Sequence, residues 1–160
     1  MATTTGLRHA VLWVSDPIAS AEFYSAVLGM ESKHSGENAV FLSSPESNTD
    51  HDLGLFRVEP ARALTNRVGL YHLAWEVPTL RDLAATKETL IELGAYVGEN
   101  NHGATRSLYA HDPDGIEFEV LWELDPAAVA EDEPSNVPLD FDADYERFGP
   151  DALSRGAVGS

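Results

Sequence analysis

The chain has 160 residues, of which 43% are hydrophobic, and 27 acidic side chains against 10 basic ones give a formal net charge of −17. That length bounds it to one domain or two small modules sharing a core, and the apolar fraction excludes a disordered chain. The charge argues against nucleic acid and anionic membranes as partners, because phosphate would repel such a surface.

The opening residues, Met1 to Gly6, carry neither the basic segment nor the apolar core of a signal peptide. No apolar run approaches the ~18 residues of a membrane span. A cytoplasmic protein is therefore expected. Arg8 to Val14 reads as a strand, apolar on both faces and ended by Pro17. Ile18 to Leu28 reads as a helix, with Phe23, Val27 and Leu28 at helical spacing and Gly29 as its C-terminal cap. Three short strands are expected near Glu31–His34, Ala39–Leu42 and Leu53–Val58. The pattern then returns. Leu70 to Val77 is again a strand with a His near its start, ended by Pro78. Asp82 to Leu93 places Leu83, Leu90 and Leu93 on one helical face, closed by Gly94. Strands follow near Ala95–Gly98, Ser107–Ala110 and Ile116–Glu123.

His9 precedes Gly29 by twenty residues and His72 precedes Gly94 by twenty-two, and a Trp follows each His within four. This is an internal βαβββ repeat. It divides residues 1–125 into modules of about 7–60 and 69–124. Residues 126–160 form an acidic tail containing Glu131-Asp132-Glu133-Pro134. The tail reads either as a solvated segment or, through Val137, Leu139, Phe141, Tyr145 and Phe148, as one lying across the body or a neighbouring subunit. Its last dozen residues are expected to be disordered.

The richest stretch runs from Asn100 to Glu119. It holds His102, the pair Leu108-Tyr109, the turn Asp112-Pro113-Asp114-Gly115, and Glu119 four residues after that glycine. Pro presets φ and Gly allows positive φ, so the turn folds two strands together. Tyr109 and Glu119 lie at similar distances from its centre and are expected opposite each other. With no cysteine in the chain, a metal site must use His and carboxylate. His9 and His72 hold matching places in the two repeats. Paired modules would set their first strands side by side. Two imidazoles and one carboxylate with open positions form the facial triad that suits non-haem Fe(II) and dioxygen. Taken singly, each has a plainer explanation, as a hydrogen-bonded core His or a solvated Glu. Glu117 competes with Glu119, because residues i and i+2 share a strand face.

The stretch resembles the ring-cleavage signature of the extradiol dioxygenases, members of the vicinal oxygen chelate superfamily with the glyoxalases and bleomycin-resistance proteins. The resemblance implies an α+β fold in which two βαβββ modules pair into one mixed-sheet, barrel-like body, here followed by the C-terminal tail. It implies His9, His72 and Glu119 as the metal ligands, with Fe(II) as the metal and Mn(II) as the alternative. It implies a catechol-type substrate, cleaved extradiol with both atoms of O2 incorporated, and a homo-oligomer. Asp50-His51-Asp52-Leu53-Gly54-Leu55 looks like the strand opening that carries an acid–base His, which makes His51 the catalytic base. His102 and Tyr109 match residues that hydrogen-bond the metal-bound substrate. Trp13, Phe56 and Trp75 either line the pocket or fill the core. His34 and His111 match no position and are read as surface residues. Two other readings remain open: a glyoxalase-type isomerase, which usually has four protein ligands, and a metal-free binding protein of the bleomycin-resistance type.

Overall fold

Asp16 begins the first helix of the protein by chemistry local to the turn. In the computed structural model its carboxylate Oδ1 accepts from the backbone N–H of Ile18 at 3.0 Å and of Ala19 at 3.3 Å. Pro17 stands at the first helical position, where its missing N–H costs nothing. The structure describes residues 9–47, 51–58, 72–130 and 134–157. Expectations resting on Met1–Gly6, Arg8, Asp50, Leu70, Tyr71 and Glu131–Glu133 lie outside them. The chain forms two units, Met1–Gly69 and Leu70–Ser160.

The first unit runs β1 (Ala10–Val14), α1 (Pro17–Leu28), β2 (Glu31–Ser35), β3 (Ala39–Ser43) and β4 (Leu53–Arg57). Its sheet has the order β1-β4-β3-β2. The β1–β4 pair is parallel and the other two are antiparallel. Leu12 and Val14, Val40 and Leu42, and Leu53 and Leu55 are buried together with Ala21, Tyr24 and Val27 of α1. The helix buries Pro17, Ser20, Ala21, Tyr24 and Val27, whereas Phe23 and Leu28 lie only at its margin. Small residues set this face, so a count of large apolar side chains misplaces it. Gly29 ends the helix at φ 65°, a left-handed conformation that favours glycine.

The second unit repeats the plan with β5 (Leu73–Glu76), α2 (Leu80–Glu92), β6 (Tyr96–Asn101), β7 (Thr105–His111) and β8 (Glu117–Glu123). The sheet order is β5-β8-β7-β6, again with the first and last strands parallel. Thr79 and Asp82 form a capping box, which starts α2 two residues before the expected Asp82. The buried face is Leu80, Leu83, Thr86 and Leu90. Leu93, expected on that face, is the C-cap residue and is 49% exposed. Each module thus forms its own four-stranded mixed sheet. The described strands make no single closed barrel, because each ladder ends within its own βαβββ unit.

The segment after β8 adds an 8-residue helix, α3 (Phe141–Phe148), to the second unit. Arg106 of β7, 1% exposed, meets Asp144 of α3 through Nε at 2.9 Å and Nη2 at 2.8 Å. Its Nη1 donates to Asn101 Oδ1 at 2.8 Å and to the Gly103 carbonyl at 2.7 Å. Trp122 Nε1–H donates to the Ala152 carbonyl at 2.9 Å. Ser154 is fully buried and hydrogen-bonds Glu76, which also accepts from the Gly156 N–H at 2.7 Å. At the surface Arg81 grips Asp151 at 2.8 Å, and this hydrogen bond holds the Asp151 carboxyl below its ordinary range. The expectation of disorder in the last dozen residues is therefore corrected for 149–157. Ala152, Ser154 and Gly156 reach back to β5 and β8 through groups that no periodicity in the sequence announces.

Candidate metal and substrate site

The Asp112–Gly115 turn sets the geometry. Asp112 Oδ1 accepts from the N–H groups of Asp114 at 2.9 Å and Ile116 at 2.8 Å, while the Gly115 N–H reaches the Asp112 carbonyl at 2.9 Å. Gly115 adopts φ 79°. The resulting β7–β8 register places Tyr109 opposite Glu119 and His111 opposite Glu117. On the other side β8 pairs with β5 so that Glu119 faces Ala74, two residues after His72.

Strand alternation then sorts the sheet into two faces. Arg106, Leu108, Ala110, Phe118, Val120 and Trp122 share one face and are all buried. The opposite face carries Tyr109, His111, Glu117 and Glu119. His72 reaches this second face, its Nε2 3.1 Å from Glu119 Oε2 and its Nδ1 3.6 Å from Glu117 Oε1. The imidazole and phenol rings of His72 and Tyr109 are 6.0 Å apart. His102 Nε2 lies 2.8 Å from the Tyr109 hydroxyl. The second unit thus gathers His72, Glu119, Tyr109 and His102. By strand parity Trp75 belongs with Val120, its partner on β8, and so with the buried face.

The first unit gathers the other two residues. The rings of His9 and His51 lie 4.5 Å apart, and His51 meets Phe41 edge-on at 4.8 Å. Phe41, Phe56 and Trp13 continue the aromatic cluster with centroid spacings of 5.5 and 6.0 Å. Trp13 is 43% exposed, on the face of β1 opposite the buried Leu12 and Val14. His34 approaches only the Phe41 ring, at 6.2 Å, among the described contacts.

The donor chemistry of the second unit fits a divalent metal. An imidazole nitrogen and a carboxylate oxygen approach to 3.1 Å on one partly dry sheet face. Among the described residues no group of three such side chains forms a ready-made cage. The sheet registers also show what the first unit lacks. Gly54 faces Val11, two residues after His9, as Glu119 faces Ala74. A Cβ at Gly54 would stand 3.2 Å from the Phe56 ring and 3.3 Å from Val11. An acidic side chain has no room there without displacing both.

Sequence reasoning overlooked one pair. His111 Nε2 lies 3.7 Å from Glu117 Oε2, so this surface His adjoins the site's carboxylates. The odd-numbered alternation of β7 and β8 around the turn was the available signal. Arg106 was also overlooked, and only its burial reveals it.

Comparison with known proteins agrees with this architecture. The family model for the Glyoxalase/Bleomycin resistance protein/Dioxygenase superfamily matches residues 6–120. The chain is 34% identical over 137 residues to the biphenyl-2,3-diol 1,2-dioxygenase 3 of Rhodococcus globerulus, covering 82% of this chain and 70% of that protein. It is 33% identical over 143 residues to the catechol-2,3-dioxygenase of Bacillus subtilis, covering 84% of this chain but only 47% of that one. Among solved structures, a glyoxylase/bleomycin resistance protein/dioxygenase domain from Frankia sp. EAN1pec superposes with a TM-score of 0.61 at 22% identity, over 76% of this chain and all of that one. The lactoylglutathione lyase of Agrobacterium tumefaciens gives 0.57 at 22%, over 74% and 94%. These two establish the fold alone. With a repeated βαβββ sheet and the family match spanning both copies, the chain belongs to the Glyoxalase/Bleomycin resistance protein/Dioxygenase superfamily.

Proposed function

We propose that this protein is an extradiol ring-cleavage dioxygenase. It converts a catechol-type diol and O2 into an open-chain semialdehyde that keeps both oxygen atoms. In this reading His9, His72 and Glu119 hold Fe(II), with Mn(II) as the alternative. The observation that carries it is the meeting of His72, Glu119 and Tyr109 on one sheet face, with His102 bonded to the phenol.

When bound, the metal supplies a Lewis acid that lowers a catechol hydroxyl's pKa and open positions for two small ligands. The protein's own groups do the rest. His51, adjacent to His9, accepts the proton released by the diol and returns it when the ring opens. His102 Nε2 lies 2.8 Å from the Tyr109 hydroxyl; in the tautomer with the proton on Nε2 it donates to the phenol oxygen, which leaves the phenol proton to hydrogen-bond an oxygen of the substrate. Phe41, Phe56 and Trp13 offer aromatic surface on which a catechol ring can stack. The relatives named as dioxygenases support the reaction class. Gly54, where a fourth carboxylate would stand, weighs against the isomerase reading.

The deciding experiment is anaerobic loading with Fe(II), then exposure to a panel of catechols in air. Oxygen uptake matched one-to-one with a yellow ring-opened product is expected. Absence of both across the panel, from protein that has taken up iron, would overturn the activity.

A further inference from the structure

His102 is exposed, yet its chain neighbours Asn101 and Gly103 are both buried. The turn from β6 to β7 that they form is held from within, from β7 and from the tail. Within the turn, Asn101 Oδ1 accepts the Gly103 N–H at 2.8 Å, the local bond that asparagine side chains favour. The His102 N–H reaches the Thr105 carbonyl at 3.0 Å. From β7, Arg106 Nη1 donates to the same Asn101 Oδ1 at 2.8 Å and to the Gly103 carbonyl at 2.7 Å, so one nitrogen ties the residues on either side of His102. From the tail, the Val137 carbonyl accepts the Asn101 N–H at 2.8 Å, and the Asn136 N–H donates to the Asn101 carbonyl at 2.6 Å. Asp144 of α3 in turn holds the guanidinium through Nε and Nη2.

A hairpin turn does not need a buried ion pair beneath it, and burying one carries a desolvation cost. What this pair fixes is the backbone around a histidine whose Nε2 stands 2.8 Å from the Tyr109 hydroxyl. Tyr109 is placed by the β7–β8 register. His102 lies on a turn, where a side chain is placed less precisely unless neighbouring groups lock it. We infer that Asn101 and Arg106 are positioning residues for His102, and that the tail takes part in the site by supplying Asp144 as their counter-charge. That His102 acts on substrate rests on the function proposed above; its fixing against Tyr109 does not.

The test uses the full chain as wild type, Asn101→Ala, Asn101→Asp, His102→Ala and the double variant Asn101→Ala/His102→Ala, with iron content measured for each. Asn101→Ala removes the shared acceptor and leaves the Arg106–Asp144 pair in place. Its iron content is expected to match wild type, because the proposed ligands lie elsewhere. Its kcat falls by about 10–100-fold, the loss that a displacement of roughly 1 Å at a reacting group brings. Asn101→Asp keeps an acceptor oxygen at that place and recovers most of the loss. In the His102→Ala background, Asn101→Ala costs nothing further, since residues that act through one group are not additive. In metal-free protein, nuclear Overhauser contacts between the His102 and Tyr109 rings are expected in wild type and Asn101→Asp and are lost in Asn101→Ala. Equal losses of kcat from Asn101→Ala with and without His102 overturn the inference. So does a wild-type kcat, or an unchanged ring contact, in Asn101→Ala. Should Asn101→Ala fail to fold, Asp144→Asn, which removes the counter-charge but keeps an acceptor, takes its place in the same comparisons with the same outcomes. If wild type takes up iron and turns over no catechol, the proposed function falls, and the ring contact alone then decides how His102 is held.

Discussion

At the scale of single residues, the proposed reaction assigns some groups to hold a metal and others to handle protons, and the two classes are expected to respond differently to removal. His51 stands beside His9 with its ring 4.5 Å away. His51→Ala is expected to keep bound iron yet lose turnover by about 10²–10⁴-fold, the usual worth of a positioned acid or base. Iron content and oxygen uptake measured on one sample check this, and near-normal turnover would remove its role. Much of the residue-scale reading was available from spacing. Asp112-Pro113-Asp114-Gly115 fixes the turn, and the turn fixes Tyr109 against Glu119. Spacing could not separate Glu117 from Glu119, because both lie on one strand face. In the structure the two differ in their contact with His72: Glu119 Oε2 lies 3.1 Å from Nε2 and Glu117 Oε1 lies 3.6 Å from Nδ1.

At the scale of elements, both modules show how caps and short-range chemistry fix helix limits. Asp16 with Pro17, and Thr79 with Asp82, start α1 and α2, and Gly29 and Gly94 follow their ends with positive φ. These signals are local, so the sequence displays them. The docking of α3 is of another kind. Its anchor is the buried Arg106–Asp144 pair, 38 residues apart in sequence, supported by Asn101 and the Gly103 carbonyl. Asp144→Ala leaves the guanidinium buried without its counter-charge. A loss of about 3–5 kcal/mol is expected, read from the midpoint of denaturant unfolding. Replacing Asp151, exposed and paired with Arg81, is expected to change that midpoint little, since surface pairs contribute at most about 1 kcal/mol.

At the scale of the whole molecule, the net charge of −17 is the dominant long-range feature. Like charges repel within the folded state, and added salt screens them over a Debye length of about 8–10 Å at 0.1–0.15 M. Thermal stability is expected to rise between low ionic strength and about 0.3 M sodium chloride. Scanning calorimetry at several salt concentrations checks this, and a flat or falling Tm would mean that local ion pairs outweigh the general repulsion. The sequence by itself determined the repeated βαβββ order, the helix caps, the turn before β8 and the residue types of the candidate site. All of these follow from local conformational preference or a short periodicity. Only the tertiary structure decided which nitrogen of His72 faces which carboxylate, that Gly54 occupies the place matching Glu119, and that residues 134–157 fold back onto the second unit. Those outcomes depend on strand register and on buried partners far apart along the chain, which no local pattern encodes.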